Sequence, residues 1–385
     1  MNTGLATPLL GGLSPQLFMR RHWQKKPLLV RGAIDPGGFA IERETLFELA
    51  SRDDVRSRLV VREGTGWRLR HGPIARRSLP ALRRPGWTLL VQALDRHLPA
   101  MHELLARFRF VPQARLDDVM VSYASDQGGV GPHFDSYDVF LVQVHGRRRW
   151  RIGRLREPQL QPDVPLKILT NFVAEEEWVL DPGDLLYLPP RWAHDGVALG
   201  ECITASIGFR APQRASLARA LMQQMLEAQP PESTGAEPVY RDPQQAATDR
   251  PGQIPEALTA FAHESLRAML GHPRELACAL GELLSEPDPE AGFAPAVEPP
   301  ATRGGVVLAR SSRMLYDRRH VFINGESCLA GGRDAVLMRR LADRARLTQR
   351  EVESLSPAAR GLLEQWQDDG WLQGLPPALS ERSPP

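Results

Sequence analysis

From residue 117 to residue 209 the chain runs through short stretches in which apolar and polar side chains alternate, each closed by turn formers: DDVMVSYA, YDVFLVQV, RRRWRIG, EEEWVL, GDLLYLPP and CITASIGF. A period of two over runs of this length predicts strands with one buried face, and several of them at close spacing predict an antiparallel barrel or a double-sheet jelly roll. Upstream, short helical patterns mix with further strand-like runs. Beyond residue 212 the period changes to that of a helix. QRASLARALMQQMLE places Leu217, Leu221, Met222 and Met225 on one stripe, and PEALTAFAHESLRAML and PRELACALGELL follow. So small a helical unit has little core of its own, and a second subunit would cover its apolar stripe.

Two segments rich in Pro, Gly and acidic residues, 228–256 and 285–305, read as linkers and divide the chain. The last part reads as strand GVVLA, hairpin RRHVFINGESCL, then helices RDAVLMRRLADRAR, TQREVESL and SPAARGLLEQWQDDGWL. This order fits a winged helix.

Composition narrows the class. The 385 residues carry 42% hydrophobic and 24% charged residues, and no apolar run approaches the ~18 residues of a membrane span. The N-terminus lacks the pattern of a secretory signal, so a cytoplasmic location is expected. Cys202, Cys278 and Cys328 are too widely spaced for a disulfide framework or a Cys-x-x-Cys zinc site and read as inert thiols. A net charge of +2 gives no electrostatic footprint for nucleic acid. Residues 301–385, with 13 Arg and 10 Asp or Glu, are also weak for a DNA reader, so a structural or docking role is expected there.

Candidate chemistry is concentrated in GPHFDSYDVFLVQVHGRRRW, residues 131–150. On an extended chain His133 and Asp135 point to the same side and can share one metal ion. The glycine-rich SDQGGVGP before them lets the backbone pass close to an ion. A third ligand is available in His194, at the strand end in DPGDLLYLPPRWAHDGV. Two histidines and a carboxylate form the facial triad of non-haem Fe(II) sites, with positions left for co-substrate and O2. His22, His71, His97, His102, His145, His263, His272 and His320 lack such a setting, and His145 sits in what reads as a turn, HGR.

Past that turn, alternation puts Arg148, Trp150 and Ile152 on one face and Arg147, Arg149 and Arg151 on the other. The apolar face is the inner one. An arginine sent inward needs an anion, and a dicarboxylate co-substrate would supply it in a bidentate grip. A structural salt bridge or a snorkelling stem is the alternative.

With His133, Asp135, Arg148 and His194 in place, the chain resembles the JmjC-type, cupin-like 2-oxoglutarate oxygenases. In that family a basic residue thirteen positions after the metal-binding aspartate, usually Lys and sometimes Arg, holds the distal carboxylate of 2-oxoglutarate, and Arg148 stands thirteen after Asp135. FMRRHWQKKPLLVRGA, GVGPHFDSYDVFLVQVHGRRRWRIG and SIGFRAP are similar to the signatures of one branch, the bacterial ribosomal oxygenases that hydroxylate an arginine of a large-subunit ribosomal protein.

The resemblance implies an α+β chain. A double-stranded β-helix (cupin or jelly-roll) catalytic domain would occupy residues 1–212, with its metal-binding core at about 112–212. A helical dimerisation region (213–290) and a C-terminal winged-helix-like domain (300–385) would follow. It also implies Fe(II), 2-oxoglutarate and O2, β-carbon hydroxylation of an arginine with release of succinate and carbon dioxide, a homodimer, and no direct DNA or membrane binding. An arginine substrate needs a carboxylate and a flat apolar wall, for which Asp118, Tyr137 and Met120 are the candidates. Asp118 as an exposed strand-edge acid, with Tyr137 and Met120 in the core, is the alternative. Thr204 and Ser206, on the small and partly polar face of the last barrel strand, are candidate pocket residues.

Three other readings share these residues: a JmjC-type demethylase, a winged-helix regulator with a cupin sensory domain, and a zinc or nickel cupin that binds no 2-oxoglutarate.

Overall fold

The structure is a computed structural model and describes residues 2–64, 66–155, 157–227, 238–244, 250, 253–270, 273–293 and 305–375. Parts of both expected linkers, and the chain after residue 375, lie outside the described residues. Two compact units emerge, Met1–Ala211 with Pro289–Gly292, and Pro212–Asp288 with Phe293–Pro385.

The first unit contains helices α1 (Pro15–Arg21), α2 (Arg43–Leu49), α3 (Leu94–His97) and α4 (Pro99–Ala106). Its strands are β1 (Leu28–Val30), β2 (Ser57–Glu63), β3 (Gly66–His71), β4 (Trp87–Val91), β5 (Leu116–Ala124), β6 (His133–Phe134), β7 (Asp138–Arg154), β8 (Glu176–Leu180), β9 (Leu185–Leu188) and β10 (Trp192–Phe209). They join in one sheet system of order β1-β9-β7-β10-β5-β4-β2-β3, with β6 against β10 and β8 against β7.

Strands β7 and β10 are long enough to serve two layers. Asp138–His145 pairs with the second half of β10, whereas Arg147–Arg154 pairs with its first half, Trp192–Leu199. The two halves therefore lie in different sheets, with β6 and β8 completing the smaller one. This is the double-stranded β-helix expected from the sequence.

One detail differs. The HGR segment is no turn: β7 runs through it, with Gly146 at φ 63° and register shifts between Leu199 and Ile203 and between Ile203 and Thr204, the second of which leaves Val144 as an extra β7 residue, a bulge between Gln143 and His145. An inserted residue moves every later side chain to the other face. Val139 and Leu141 face the barrel interior before the bulge, and Arg148 and Trp150 face it after. Alternation read separately on each side of HGR therefore gives the correct faces. Arg147 is exposed, and Arg149 and Arg151 are half-buried on the other side.

The principal core lies on the outer face of the larger sheet. There Val119, Val121 and Tyr123 of β5 and Ile203, Ala205, Ile207 and Phe209 of β10 meet Phe18 of α1, Phe47 of α2 and Leu104 of α4. The N-terminal segment is pinned to this layer by Asp138, fully buried at the start of β7. Its carboxylate accepts hydrogen bonds from Tyr187 Oη (2.6 Å), Gln24 Nε2 (3.0 Å) and Arg115 Nη2 (3.2 Å). Trp23 stacks on Tyr187 beside it. The HWQKKP stretch thus works as a clasp.

The second unit has helices α5 (Arg214–Glu227), α6 (Glu256–Leu270) and α7 (Pro273–Ser285), then strands β11 (Gly305–Leu308), β12 (Met314–Tyr316), β13 (His320–Ile323) and β14 (Glu326–Leu329). Helix α8 (Gly332–Arg344), strand β15 (Arg346–Leu347), helices α9 (Gln349–Glu353) and α10 (Pro357–Asp368), and strand β16 (Leu372–Leu375) complete it. Sheets β15-β11-β16 and β12-β13-β14 frame the helices, which bury Leu341, Leu363 and Trp366. Thr348 and Glu351 form a capping box that starts α9. Helix α7 lies on the β12-β13-β14 sheet, so close that a Cβ at Gly281 would strike the Phe322 ring. The final helix stops at Asp368, short of the GWL read from sequence as its end, and Leu372 begins β16. All three cysteines are free, with Cys202 buried. No helix among the described residues is long and apolar enough to cross a membrane.

A Cβ at Gly146 would collide with the Glu201 carbonyl, at a φ that L-residues rarely adopt. Gly146→Ala is expected to cost about 1–3 kcal/mol from backbone strain alone, with the collision adding to it, read as a lower denaturant midpoint.

Candidate metal centre

His133, Asp135 and His194 each bring a ligand atom into one group whose members lie within 4.8 Å of one another, the geometry needed to hold a single ion. Backbone pairing creates the group. His133 on β6 is the direct register partner of His194 on β10, and their rings stand 4.2 Å apart. Asp135 follows on the same side, with Oδ2 3.6 Å from His194 Nε2. The Asp135 carbonyl is held in turn by the backbone N–H of Arg191 (2.9 Å), a residue in the left-handed region at φ 66°.

Both histidines are fixed by the backbone. Nδ1–H of His133 donates to Gly131 O (2.8 Å), and that of His194 donates to Trp192 O (3.0 Å), so each ring presents Nε2 as its lone-pair donor. Burial, helped by His133 nearby, pulls the His194 pKa down to about 4, so its imidazole is neutral and ligating at neutral pH. Two neutral imidazoles and one carboxylate, all on one side of an open cavity, suit a ferrous ion with positions left over.

The cavity has a volume of about 360 Å³. Opposite the triad lies Arg148, only 3% exposed. Its guanidinium donates through Nη1 to Ser122 Oγ (3.1 Å) and Thr204 Oγ1 (3.4 Å) and through Nη2 to Gly196 O (3.2 Å), all neutral acceptors. Nε has no partner, and no carboxylate lies within ion-pair distance among the described residues. Burial pushes its pKa down, yet a guanidinium keeps its proton in proteins. A desolvated cation without a counter-ion is costly unless an anion arrives. The residues present therefore fit a dicarboxylate held at one end by the metal and at the other by Arg148. Gly196 makes the grip possible, because a Cβ there would come within 2.8 Å of Arg148 Nε and 2.6 Å of the Trp150 ring.

The other sequence candidates divide. Thr204, Ser206, Met120 and Tyr137 line the same cavity. Thr204 also donates to Gln143 Oε1 (3.0 Å), so it buttresses Arg148. Asp118 is not among the lining residues. One of its oxygens accepts from the backbone N–H of Ala93 (2.8 Å), while the Asp95 carboxylate accepts from Val119 N (2.8 Å), a reciprocal strap between α3 and the start of β5. Asp118 still acts electrostatically on the cavity wall, since burial first, then Asp135, Asp118 and Asp117, push the Tyr137 hydroxyl upward.

Sequence reading missed several wall residues: Arg58 and Val60 of β2, Leu69 of β3, Thr88 and Leu90 of β4, and Pro165 to Ile168 of the β7–β8 loop. The apolar runs LVV (59–61) and TLLV (88–91) mark strands but not which of their residues face the cavity.

A double-stranded β-helix with this triad and a buried arginine opposite it defines a metal- and 2-oxoglutarate-dependent oxygenase. Comparison with known proteins agrees. Residues 103–217 match the JmjC domain family, and residues 267–373 match the ROXA-like winged helix. The Escherichia coli ribosomal protein uL16 3-hydroxylase is 34% identical over 320 residues, covering 80% of this chain and 84% of its own. The X-ray structure of E. coli ycfD superposes with a TM-score of 0.81 at 29% identity, covering 93% of this chain and 97% of that one. A structure of YcfD in complex with cobalt and 2-oxoglutarate gives 0.77 at 29% identity, covering 94% and 98%. The chain belongs to the JmjC-type ribosomal oxygenases.

His133→Ala is expected to abolish Mn(II) binding in calorimetry and all turnover, while Arg148→Ala keeps the metal and loses affinity chiefly for 2-oxoglutarate. Unchanged 2-oxoglutarate affinity in the Arg148 variant would remove that assignment.

Asp118 supplies a pH test. Burial, then Asp117 and Asp95, raise its carboxyl pKa to about 7, above the unfolded value. The folded state therefore binds this proton more tightly, and the stability it contributes is present below the unfolded pKa and lost as pH rises through 7. Asp118→Asn, which keeps the acceptor for Ala93, should gain on wild type in urea unfolding between pH 5 and pH 8. An equal difference at both pH values would contradict the shift.

Proposed function

We propose that this protein hydroxylates the β-carbon of an arginine side chain in a large-subunit ribosomal protein, the counterpart of uL16. The observation that carries this reading is the shared cavity, in which the triad and the uncompensated Arg148 face each other with an apolar wall left for a third group. Iron, 2-oxoglutarate and O2 supply the oxidation, in which one oxygen atom leaves in succinate alongside carbon dioxide and the other enters the substrate C–H bond. The protein holds the parts in place.

Arg148 fixes the distal carboxylate of the co-substrate, with Thr204 and Ser206 beside it. Met120 and Tyr137 flank the substrate's aliphatic stem, and the second oxygen of Asp118, at the start of β5, receives its guanidinium. An incoming cation lowers the Asp118 pKa, so substrate binding strengthens as pH rises through 7.

The remaining assignments follow the same reading. Residues 1–212 form the catalytic domain, 213–290 the dimerisation region and 300–385 the winged-helix-like domain. A homodimer accounts for the apolar side chains left on the surface of α5 and α6, with Met222 40%, Leu226 58%, Leu266 48% and Leu270 46% exposed. Direct DNA binding is disfavoured, since on α8 Arg340 pairs with Glu351 at 2.5 Å and Arg339 lies over the Tyr316 ring. The protein would act in the cytoplasm, where ribosomal proteins are made.

Incubation with Fe(II), 2-oxoglutarate and native large-subunit proteins, followed by intact-mass analysis, should show one protein gaining one oxygen atom. Loss of a methyl group instead would indicate a demethylase, and no mass change in a preparation that binds iron and 2-oxoglutarate would sink the hydroxylase reading.

A further inference from the structure

The cavity holds a second guanidinium that nothing described so far employs. Arg58 projects from β2 into the same space as the triad. Its Nη2 lies 3.8 Å from Met120 Sδ, a weak acceptor, and its Nε is buried without any partner. No carboxylate lies within ion-pair distance of it among the described residues. Arg148 meets Ser122, two residues along the same face of β5 from Met120. Successive side chains on one strand face are about 7 Å apart, so two guanidinium groups stand side by side over one strand, each without an anion.

The co-substrate accounts for one of them. A dicarboxylate bound between the metal and Arg148 has both its ends in use. The surroundings of Arg58 are also of another kind, because Val60, Leu69, Leu90 and Met120 make a mostly apolar wall around its guanidinium, with Thr88 as a neutral polar neighbour and Lys167 on the β7–β8 loop as a further cation of the cavity. A charged donor set in a mostly apolar wall orients a ligand by one oxygen atom. Met120 abuts both Arg58 and the expected path of the reacting side chain. That side chain is itself a cation, and two cations side by side repel unless an oxygen acceptor comes between them.

We propose that Arg58 is a substrate-positioning residue, which donates to an oxygen of the substrate polypeptide next to the reacting arginine, either a main-chain carbonyl or the carboxylate of an adjacent acidic residue. This rests on the hydroxylase reading above. The role is distinct from that of Arg148, since the oxygen arrives with the polypeptide and not with 2-oxoglutarate.

The test is a titration without turnover. Full-length protein loaded with Mn(II) and 2-oxoglutarate under anaerobic conditions is titrated with uL16 from the same organism, for wild type, Arg58→Met and Arg58→Lys. The methionine keeps the stem against the wall and removes the donors, and the lysine restores a charged donor. Arg58→Met should weaken uL16 binding by about tenfold or more, the loss expected for one charge-assisted hydrogen bond, and Arg58→Lys should recover part of it. The 2-oxoglutarate Kd should stay within about twofold in all three, which a general loss of structure would not allow. In the hydroxylation assay KM for uL16 should rise more than kcat falls. Replacing acidic neighbours of the target arginine with alanine separates the two oxygen sources, because wild type and Arg58→Met converge only if a side-chain carboxylate is the acceptor.

Equal binding of uL16 by wild type and Arg58→Met overturns the inference, as does a 2-oxoglutarate Kd that worsens in step. Failure of the wild type itself to bind uL16 counts against the hydroxylase reading and removes this inference with it.

Discussion

An arginine can sit inside this barrel because β7 changes phase at the extra residue Val144, just before Gly146. Before the bulge the odd-numbered residues Val139 and Leu141 face inward, and after it the even-numbered Arg148 and Trp150 do so. Without the extra residue the second half of the strand would turn Arg147 and Arg149 toward the metal and leave Arg148 in solvent. The same bend lets one strand belong to both sheets, bringing Arg148 opposite Gly196 and Ala198 of β10 while the first half backs the outer core. The placement of Arg148 in the cavity and the closure of the fold therefore share one backbone irregularity.

Around that point the electrostatics are divided between two kinds of support. Charges that hold the fold together are paired inside the protein: Asp138 with Arg115, Asp184 with Arg31 and Asp195 with Arg151. Charges that face the cavity are not. Arg148 rests on a serine, a threonine and a carbonyl, and Arg58 on a thioether. A buried ion pair half built by the protein is an expensive way to stabilise a domain and an effective way to demand a ligand of the opposite sign.

The legibility of the chain followed the range of the interactions. His133 and Asp135 are two residues apart on a strand, and Arg148 follows a local alternation, so a single sequence places all three. His194 could be found because its strand end carries its own turn signals. Continuity through HGR was hidden, since a His-Gly-Arg that turns and one that continues a strand look alike until the partner strand is known. The strands β2 to β4 show strand patterns but nothing that sends Arg58, Leu69 or Leu90 to the metal side, because that depends on how a sheet extends over neighbours far away in sequence. Asp118 is intermediate. Its strand face was legible, but its hydrogen bond to Ala93 belongs to a helix-to-strand strap set by tertiary packing.

The two carbonyls that fix the histidine rings, Gly131 O and Trp192 O, each lie two residues before the histidine they hold. Orientation of the ligating nitrogens is thus written into the local backbone and does not depend on the ion. With the tautomer chosen in advance and the His194 ring neutral at physiological pH, loading a divalent cation requires no ring flip and displaces no proton from that ring. Which divalent ion fills such a site depends on ligand type, geometry and metal availability. Another divalent metal of the right size would find the same preset nitrogens waiting.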